Sequence, residues 1–400
     1  MSIERKPSDF ERKLLLTPIR KYLELKFHIS VEKNETIGLK PPYLIVGNHV
    51  TDWDPLIINC YVDDSISFVA ASQVFRHPVM GNVLNYTGAI SKTKSRADSS
   101  TIRNIIKAKK ANRVIGLFPE GNRSWNGQTD ELVFSTSKLI KSLKIPVVAA
   151  TIKGGYLSTP RWAQSARQGE IRVSFEQLFT ENELENYTND EIHSKLNQAL
   201  FHDEFAWQQQ VNIEFKGKQL ANYLERYLYA CPNCQQIGKM YSNEDRFSCR
   251  DCLYEVKYTN KGLFEQGTHQ IKFYTISAWG DWQKNLLDAK LTKGLKDIAT
   301  IQEVDNEVKF AKIHAGYKEE LGTFKIKCTD TELQFTNSTN SLAIELDRIE
   351  SVSLFKKLSM EFYHDGHFYQ LHFLKDRAPV YLWYEMILLL KEKRKLKETN

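Results

Sequence analysis

The sequence of 400 residues predicts an α/β domain with a mixed sheet, then a small cysteine-held unit, then a β-rich domain closed by a C-terminal helix. Three observations predict this order. Strand-like apolar runs alternate with helix-like runs from about residue 40 to 180. Two C-x-x-C pairs stand between residues 230 and 265. Seven short strand-like runs then precede a last helical segment that starts near Ala378.

Four segments follow from these patterns. A chain of 400 residues is too long for one hydrophobic core, so several domains are expected. We predict an amphipathic N-terminal helix over 1–30, an α/β domain over 31–229, a cysteine-held unit over 230–265 and a β-rich domain with a C-terminal helix over 266–400.

The N-terminal helix carries both apolar and basic residues. Apolar residues recur at spacings of three and four between Phe10 and Leu25, with Arg and Lys on the remaining surface. Pro18 is expected to kink or divide this helix. Such a helix lies either at a membrane interface or against its own domain, and its sequence alone favours neither.

The α/β segment is predicted element by element. Its strand-like runs are Tyr43–Val46, Ser67–Ala70, Ala89–Ser91, Val114–Phe118, Pro146–Ile152 and Glu170–Phe175. Its helix-like runs are Pro55–Tyr61, Pro78–Asn85, Ser99–Ala111 and Phe134–Ser142. The segment 180–229 is predicted to be helical, with a helix start at Thr188–Glu191.

The first motif follows the strand-like run that ends at Gly47. Residues 48–54 read N-H-V-T-D-W-D, and His49 can meet Asp54 if a helix starts between them. A carboxylate on one imidazole nitrogen leaves the other free to take a proton from a hydroxyl. We predict that His49 is a general base oriented by Asp54. Taken alone, a histidine here is more often part of a helix cap or a core.

The second motif is F-P-E-G-N-R-S at residues 118–124. Pro119 fixes the exit from the strand, and Gly121 permits a turn that a β-carbon would hinder. Glu120 is expected either to bind substrate hydroxyls or to hold Arg123. Arg123 is expected to pair with a phosphate in bidentate fashion, with an ion pair to Glu120 or a surface position as the alternative.

Together, these motifs resemble the glycerolipid acyltransferases of the 1-acylglycerol-3-phosphate acyltransferase (PlsC-like) type. The shared blocks are N-H-x-x-x-x-D, a basic segment at 88–96, F-P-E-G, and a V-P-V-like block at 145–148. The resemblance covers roughly residues 25 to 180. It implies an O-acyltransferase that moves a fatty acyl group from acyl-CoA or an acyl-carrier protein to the free hydroxyl of 1-acylglycerol 3-phosphate, giving phosphatidate.

The basic segment departs from the family pattern. Many members have Asp-Arg where this chain has Thr93-Lys94, and Arg96 follows two residues later. The resemblance implies that Lys92, Lys94 and Arg96 bind the substrate phosphate, together with Glu120 and Gly121 in the acceptor site. A lysine cannot reproduce the two-pronged contact of a guanidinium, so Arg96 is a candidate to replace it. Lys107, Lys109 and Lys110 are interpreted as a solvated helix face.

Two other functions remain open. The chain is alternatively a membrane-recruited binding or scaffold protein that uses its C-terminal parts, or a thioesterase in which water replaces the alcohol. The intact His49, Asp54, Glu120 and Gly121 argue against the scaffold. Release of thiol that depends on an acceptor distinguishes the transferase from both.

The cysteines predict a metal site. Cys231 and Cys234 are separated from Cys249 and Cys252 by a loop long enough for a hairpin. Four thiolates on two turns give a closed tetrahedral site suited to structural Zn²⁺, as in a zinc ribbon. A redox role is the alternative. The strands that follow resemble the pleckstrin-homology-like architecture, and that likeness implies no function.

Composition limits the partners. The net charge of +6 is mild, and nucleic-acid binding is not expected because the cysteine-held unit lacks a dense basic stripe. The sequence has no apolar run of transmembrane length and no signal-peptide pattern. We therefore expect a cytoplasmic protein. The resemblance to the acyltransferases implies that it is peripheral on the inner face of the cell membrane, with the membrane surface, a lysophospholipid acceptor and an acyl thioester donor as its partners.

Overall fold

The computed structural model describes residues 3, 6–76, 78–92, 99–293, 306–314 and 317–398. The chain divides into two compact units. The first comprises Met1–Arg161 and Ala166–Lys216, and the second comprises Trp162–Ser165 and Gly217–Asn400.

A mixed sheet of seven strands forms the centre of the first unit, in the order β1-β7-β6-β2-β5-β3-β4. Every neighbouring pair is parallel except β6 and β7. Its strands are β1 (Ile29–Asn34), β2 (Leu44–Gly47), β3 (Ile66–Ala71), β4 (Ile90–Lys92), β5 (Val114–Leu117), β6 (Val147–Lys153) and β7 (Ile171–Phe179). The mixed sheet predicted from the sequence is confirmed.

The described residues of the first unit also form nine α-helices. They are α1 (Asp9–Phe27), α2 (Asp54–Cys60), α3 (Pro78–Thr87), α4 (Ser99–Lys110), α5 (Ser135–Leu143), α6 (Gly155–Ser158), α7 (Glu183–Asn186), α8 (Asn189–Leu200) and α9 (Glu204–Val211). The predicted start of α8 is confirmed, because Thr188 and Glu191 form a reciprocal capping box. Pro18 lies inside α1.

The structure differs from the sequence prediction in two places. β1 has no counterpart in the sequence prediction, because this edge strand is almost wholly exposed and lacks an apolar alternation. The expectation of helix over 180–229 is wrong for residues 212–229. Asn212 ends α9 in the left-handed conformation, Lys216 then forms a bridge with Gln168, and only a short 3₁₀ turn, Leu224–Arg226, follows.

The second unit begins with a small antiparallel sheet in the order β11-β10-β9-β8. Its strands are β8 (Met240–Asn243), β9 (Arg246–Cys249), β10 (Glu255–Tyr258) and β11 (Phe264–Gln266). α10 (Ile276–Lys293) comes next, and the strand pattern of the sequence does not anticipate it. Its buried face includes Ser277, Gly280 and Gln283, and these residues interrupt the apolar periodicity that would have indicated a helix.

A second sheet of seven strands follows, antiparallel throughout, in the order β15-β14-β13-β12-β18-β17-β16. Its strands are β12 (Glu307–Ile313), β13 (Lys318–Cys328), β14 (Glu332–Thr336), β15 (Ser341–Glu345), β16 (Ile349–Phe355), β17 (Ser359–His364) and β18 (His367–Phe373). α11 (Val380–Glu398) ends the unit. The predicted β-rich region with its C-terminal helix is confirmed. Within the described parts of the chain, every helix is too short or too polar to cross a bilayer.

Candidate active site

Two adjacent parallel strands bring the sequence motifs together. β2 pairs with β5 through Val46 and Leu117, and each strand ends within the next residue. The first motif leaves β2 and the second leaves β5, so both begin at the same edge of the sheet. The carboxyl ends of parallel strands are where α/β sheets place their ligands.

Asn48 fixes the start of the first motif. Its side-chain amide donates to the carbonyl oxygen of Ile152 at 2.9 Å, and its side-chain oxygen accepts from the Ile152 N–H at 2.8 Å. Asn48 therefore continues the pairing of β2 with β6 for one more residue, using its side chain. It is fully buried, so losing either bond would leave an unsatisfied polar group.

His49 and Asp54 are in contact. His49 Nδ1 lies 2.8 Å from Asp54 Oδ2, and the same oxygen accepts from the N–H groups of Val50 at 2.7 Å and Thr51 at 2.9 Å. The sequence suggested a helix starting between the two residues. Instead α2 starts at Asp54 itself, and a turn joins them. A carboxylate only accepts, so Nδ1 carries the hydrogen and Nε2 has a free lone pair.

The surroundings of His49 favour its neutral form. The ring stacks on Phe118, with centroids 4.3 Å apart, and 22% of its side chain stays exposed. Burial lowers the pKa of the imidazole below its ordinary value, while Asp54 opposes that shift and the positive charge of Arg123 adds to it. A neutral, partly accessible imidazole with a free nitrogen is able to accept a proton.

Glu120 connects the two motifs through the backbone. One carboxylate oxygen accepts from the His49 N–H at 2.6 Å, and the other accepts from the Asp130 N–H at 2.9 Å. The Ser124 N–H donates to the His49 carbonyl oxygen at 2.9 Å, so His49 is held on both sides. Burial raises the pKa of Glu120 well above its ordinary value. Gly121 follows with φ of 73°, as the predicted turn requires.

Arg123 pairs with Asp52 rather than with Glu120. Its guanidinium lies 3.1 Å from Asp52 Oδ2. The Arg123 side chain is 11% exposed and that of Asp52 is 77% exposed, so the pair spans the site from the interior to its rim. Arg161 donates to the Arg123 carbonyl oxygen at 2.7 Å and lies over the ring of Trp125.

The basic segment is described only at its start. Lys92 ends β4 and is exposed. The strands β2, β5, β3 and β4 are parallel neighbours, so Lys92 leaves the sheet at the same edge as His49, roughly 14 Å away by strand spacing. Lys94 and Arg96 lie outside the described residues.

Trp53 links this edge to the N-terminal helix. Its ring lies 5.8 Å from that of Tyr22 and 6.5 Å from that of Phe27, and the Lys26 ammonium is 5.3 Å from its centre. Trp53 therefore packs against α1 in the structure. In the second unit the four predicted metal ligands, Cys231, Cys234, Cys249 and Cys252, also lie together.

Sequence reasoning missed four contributors to the site, namely Asn48, Asp52, Phe118 and Ser124. All four stand inside the two motifs, so their position was a signal that they act beside His49 and Glu120. Asp52 and Ser124 contribute an ion pair and a backbone N–H. Neither contact has a sequence pattern, because each depends on how two loops meet.

Comparison with known proteins relates part of this chain to acyltransferases. Residues 28–153 match the family model described as Acyltransferase. The chain is 31% identical over 118 residues to the 1-acyl-sn-glycerol-3-phosphate acyltransferase of Borreliella burgdorferi. The aligned segment covers 29% of this chain and 46% of that protein. The chain thus spans about half the length of this curated relative. The segment that matches the Acyltransferase model thus contains both motifs.

Solved structures also resemble parts of the chain. The lysophosphatidic acid acyltransferase PlsC of Thermotoga maritima aligns with 52% of this chain and 84% of its own, at 19% identity and a TM-score of 0.43. The Inner Membrane Complex Sub-compartment Protein 3 of Toxoplasma gondii aligns with 22% of this chain and 75% of its own, at 16% identity and a TM-score of 0.18.

Proposed function

We propose that this acyltransferase domain moves a fatty acyl group from acyl-CoA or an acyl-carrier protein to the free hydroxyl of 1-acylglycerol 3-phosphate, forming phosphatidate. The curated relative from Borreliella burgdorferi supports the choice of acceptor. The observation that carries the proposal is the pair His49–Asp54, in which Nδ1 is bound by the carboxylate at 2.8 Å and Nε2 is left to act.

The proposed reaction needs no protein nucleophile. His49 Nε2 takes the proton of the acceptor hydroxyl as its oxygen attacks the thioester carbonyl carbon. The tetrahedral intermediate collapses with cleavage of the C–S bond, and the imidazolium returns its proton to the leaving thiolate. Asp54 stabilises the positive imidazolium that forms in between, because its charge is buried and adjacent.

Glu120 acts as a positioning residue in this proposal. Both of its oxygens are occupied by the backbone N–H groups of His49 and Asp130, so it holds the base rather than the substrate. Holding a reacting group within a fraction of an ångström is worth large factors in rate. Binding of acceptor hydroxyls by Glu120 stays a prediction, and it would require one of these two bonds to open.

Arg123 is the proposed phosphate-binding cation. It is mostly buried, it acts electrostatically on His49, and its present partner Asp52 is exposed and easily rehydrated. A phosphate dianion offers the guanidinium two oxygens and more charge than one carboxylate. The acceptor would then displace Asp52 from Arg123. Lys92 stands at the same edge to meet a longer headgroup or the donor.

The N-terminal helix is the proposed membrane contact. Phe10, Leu14 and Leu25 are 76%, 68% and 77% exposed, and helical geometry puts all three within a stripe roughly 60° wide. Lys13 flanks this stripe and Lys21 lies within it, and both are exposed and suit an anionic surface. Packing of Trp53 on α1 would hold His49 near the bilayer. This supports a peripheral location on the cytoplasmic face of the membrane.

Purified protein tests the reaction directly. One labelled acyl thioester is incubated with each of a panel of lysophospholipids. Release of free thiol is measured with a colorimetric thiol reagent, and the lipid products are identified by mass spectrometry. We expect thiol release only with 1-acylglycerol 3-phosphate, and no turnover for His49→Ala. Release of thiol without acceptor indicates a thioesterase. The absence of any release indicates a binding or scaffold protein, and turnover by His49→Ala refutes the assignment of the base.

Liposome sedimentation tests the membrane contact. We expect the chain to bind vesicles that contain phosphatidylglycerol, and the double substitution Leu14→Glu and Leu25→Glu to abolish binding while activity on detergent-dispersed acceptor is retained. Substitution of Ile37, an exposed apolar residue outside α1, provides the control. Unchanged sedimentation of the α1 variant would exclude this surface.

A further inference from the structure

We propose that Cys231, Cys234, Cys249 and Cys252 bind one structural Zn²⁺ ion, and that this ion organises the packing of α10 in the second unit. The proposal is independent of the acyl-transfer reaction. It stands on a repeated turn, on the positions of four sulfur atoms and on the contacts of Trp279.

The same turn occurs twice, and each copy carries two cysteines. In the first copy, the Cys231 N–H donates to the Gln236 carbonyl at 2.9 Å and the Gln235 N–H donates to the Cys231 carbonyl at 2.9 Å. Gln235 is left-handed, with φ of 61°. Such a turn directs the side chains of its first and fourth residues to the same side.

The second copy has the same bonds 18 positions later. The Cys249 N–H donates to the Tyr254 carbonyl at 2.8 Å, the Leu253 N–H donates to the Cys249 carbonyl at 3.1 Å, and Leu253 has φ of 58°. A non-glycine residue with positive φ is uncommon, and it is tolerated where the surroundings require it. Two matched occurrences indicate a shared purpose, which is to direct four thiols at one point.

The sulfur atoms have the spacing of a metal site. Cys231 Sγ lies 3.6 Å from Cys252 Sγ, Cys234 Sγ lies 3.8 Å from Cys249 Sγ, and all four lie within 4.8 Å of one another. A tetrahedron with Zn–S bonds of about 2.3 Å has edges of about 3.8 Å. The separations are far above the roughly 2.05 Å of a disulfide.

The ligand set selects the metal and its role. Four soft thiolates favour Zn²⁺ over Mg²⁺ or Ca²⁺, and a site closed by four protein ligands leaves no position for substrate. Cys231 and Cys249 are buried, and Asn233 donates its side-chain amide to Cys252 Sγ at 3.5 Å. A neutral donor to a thiolate is the kind of outer contact that steadies metal ligands.

Trp279 of α10 depends on the elements that this ion would hold. Its indole N–H donates to the carbonyl of Ala230, the residue before Cys231, at 2.9 Å. Its ring lies 5.4 Å from Phe247 on β9 and 5.2 Å from Phe264 on β11, and it is fully buried. Tyr254, which closes the second turn, lies 6.1 Å away.

A sheet of four short strands has too small a core to be stable without help. The contacts of Trp279 therefore need both turns to be held together. Loss of the ion should release β8–β11 and α10 as one group, because Trp279 of α10 contacts Ala230 beside the first turn and Tyr254 in the second. The sheet β12–β18 has its own core and should be less affected.

Metal analysis and hydrogen exchange of the full chain test the proposal without any activity assay. Protein purified in reducing buffer should contain about one zinc ion per chain, measured by inductively coupled plasma mass spectrometry. The double substitution Cys234→Ser and Cys252→Ser, at the two less buried ligands, should abolish it. Cys328→Ala, at a buried cysteine outside the cluster, should retain it.

Stripping the wild-type chain of zinc with a mercurial and then a thiol should speed exchange at 276–293 by about tenfold or more, with little change in 349–373. This measurement does not depend on the folding of a variant. If the protein contained no zinc and the four thiols formed two disulfides, the cysteines would be a redox site and the metal site would be refuted. Equal zinc content in the wild type and the double variant would refute the assignment of these cysteines as ligands. Unchanged hydrogen exchange at 276–293 would refute the proposal that the ion organises the packing of α10.

Discussion

Replacing Asp54 by Asn tests how the base is activated. Asp54 Oδ2 accepts from His49 Nδ1 and from the N–H groups of Val50 and Thr51, all within 2.9 Å, whereas Oδ1 accepts only a longer bond from Thr51. An asparagine oxygen in the Oδ2 position retains the three short bonds. The substitution therefore removes the charge while keeping the turn and the His49 tautomer.

The magnitude follows from that lost charge. Two unit charges about 4 Å apart at an effective dielectric constant near 20 interact by about 4 kcal/mol. Because the imidazolium exists only after proton transfer begins, the loss falls on the transition state, and kcat/KM should drop by about a thousandfold. If the amide turned its nitrogen toward His49 instead, it would stabilise the wrong tautomer of the imidazole, and the rate would fall roughly ten-thousandfold.

The assay is acceptor-dependent thiol release over a range of pH. Since Asp54 raises the pKa of His49 against the effect of burial, its neutralisation should also move the acidic limb of kcat/KM to lower pH. Asp190→Asn, an exposed aspartate in the first turn of α8, is the matched control. Activity of Asp54→Asn within about threefold of wild type, with equal folding and an unmoved acidic limb, would refute the reasoning.

Three further predictions rest on the same site. In the wild type, kcat/KM should fall below an apparent pKa that is under the ordinary imidazole value of 6.5, since burial favours neutral His49; a limb above 6.5 would contradict this. Glu120→Gln turns an amide nitrogen toward a backbone N–H, so urea denaturation should show a loss of about 1–3 kcal/mol and turnover should fall, with exposed Glu131→Gln unaffected. Asp52→Asn frees Arg123 and should lower the KM for a phosphate-bearing acceptor by up to about fivefold; a higher KM would mean that Asp52 binds substrate.

Local patterns predicted the parts whose cause is local. The spacing of His49 and Asp54 anticipated their contact, although a turn rather than a helical start produces it. Each strand of β12–β18 was visible from its short apolar alternation. The helix α10 was not, because a buried glutamine on its inner face bonds to the carbonyl of Tyr227, a partner 56 positions away in the chain.

Contacts between distant segments were beyond the sequence. Glu120 and Arg123 stand three residues apart, and an ion pair between them was a reasonable alternative. Folding sends Glu120 to the backbone of His49 and Arg123 to Asp52. The choice depends on the register of β2 beside β5, which sets the two loops against each other.

By itself the sequence determined which groups are the candidates for the chemistry: an imidazole with an acidic neighbour, a glutamate on a glycine turn, and four thiols in two pairs. These are properties of residue type and short spacing, and they need no knowledge of the fold. The tertiary structure alone decided what each group touches, including the backbone bonds of Glu120 and the partner of Arg123. The physical reason is that a buried polar group must bond to whatever the packing brings within reach, and only the folded chain determines that partner.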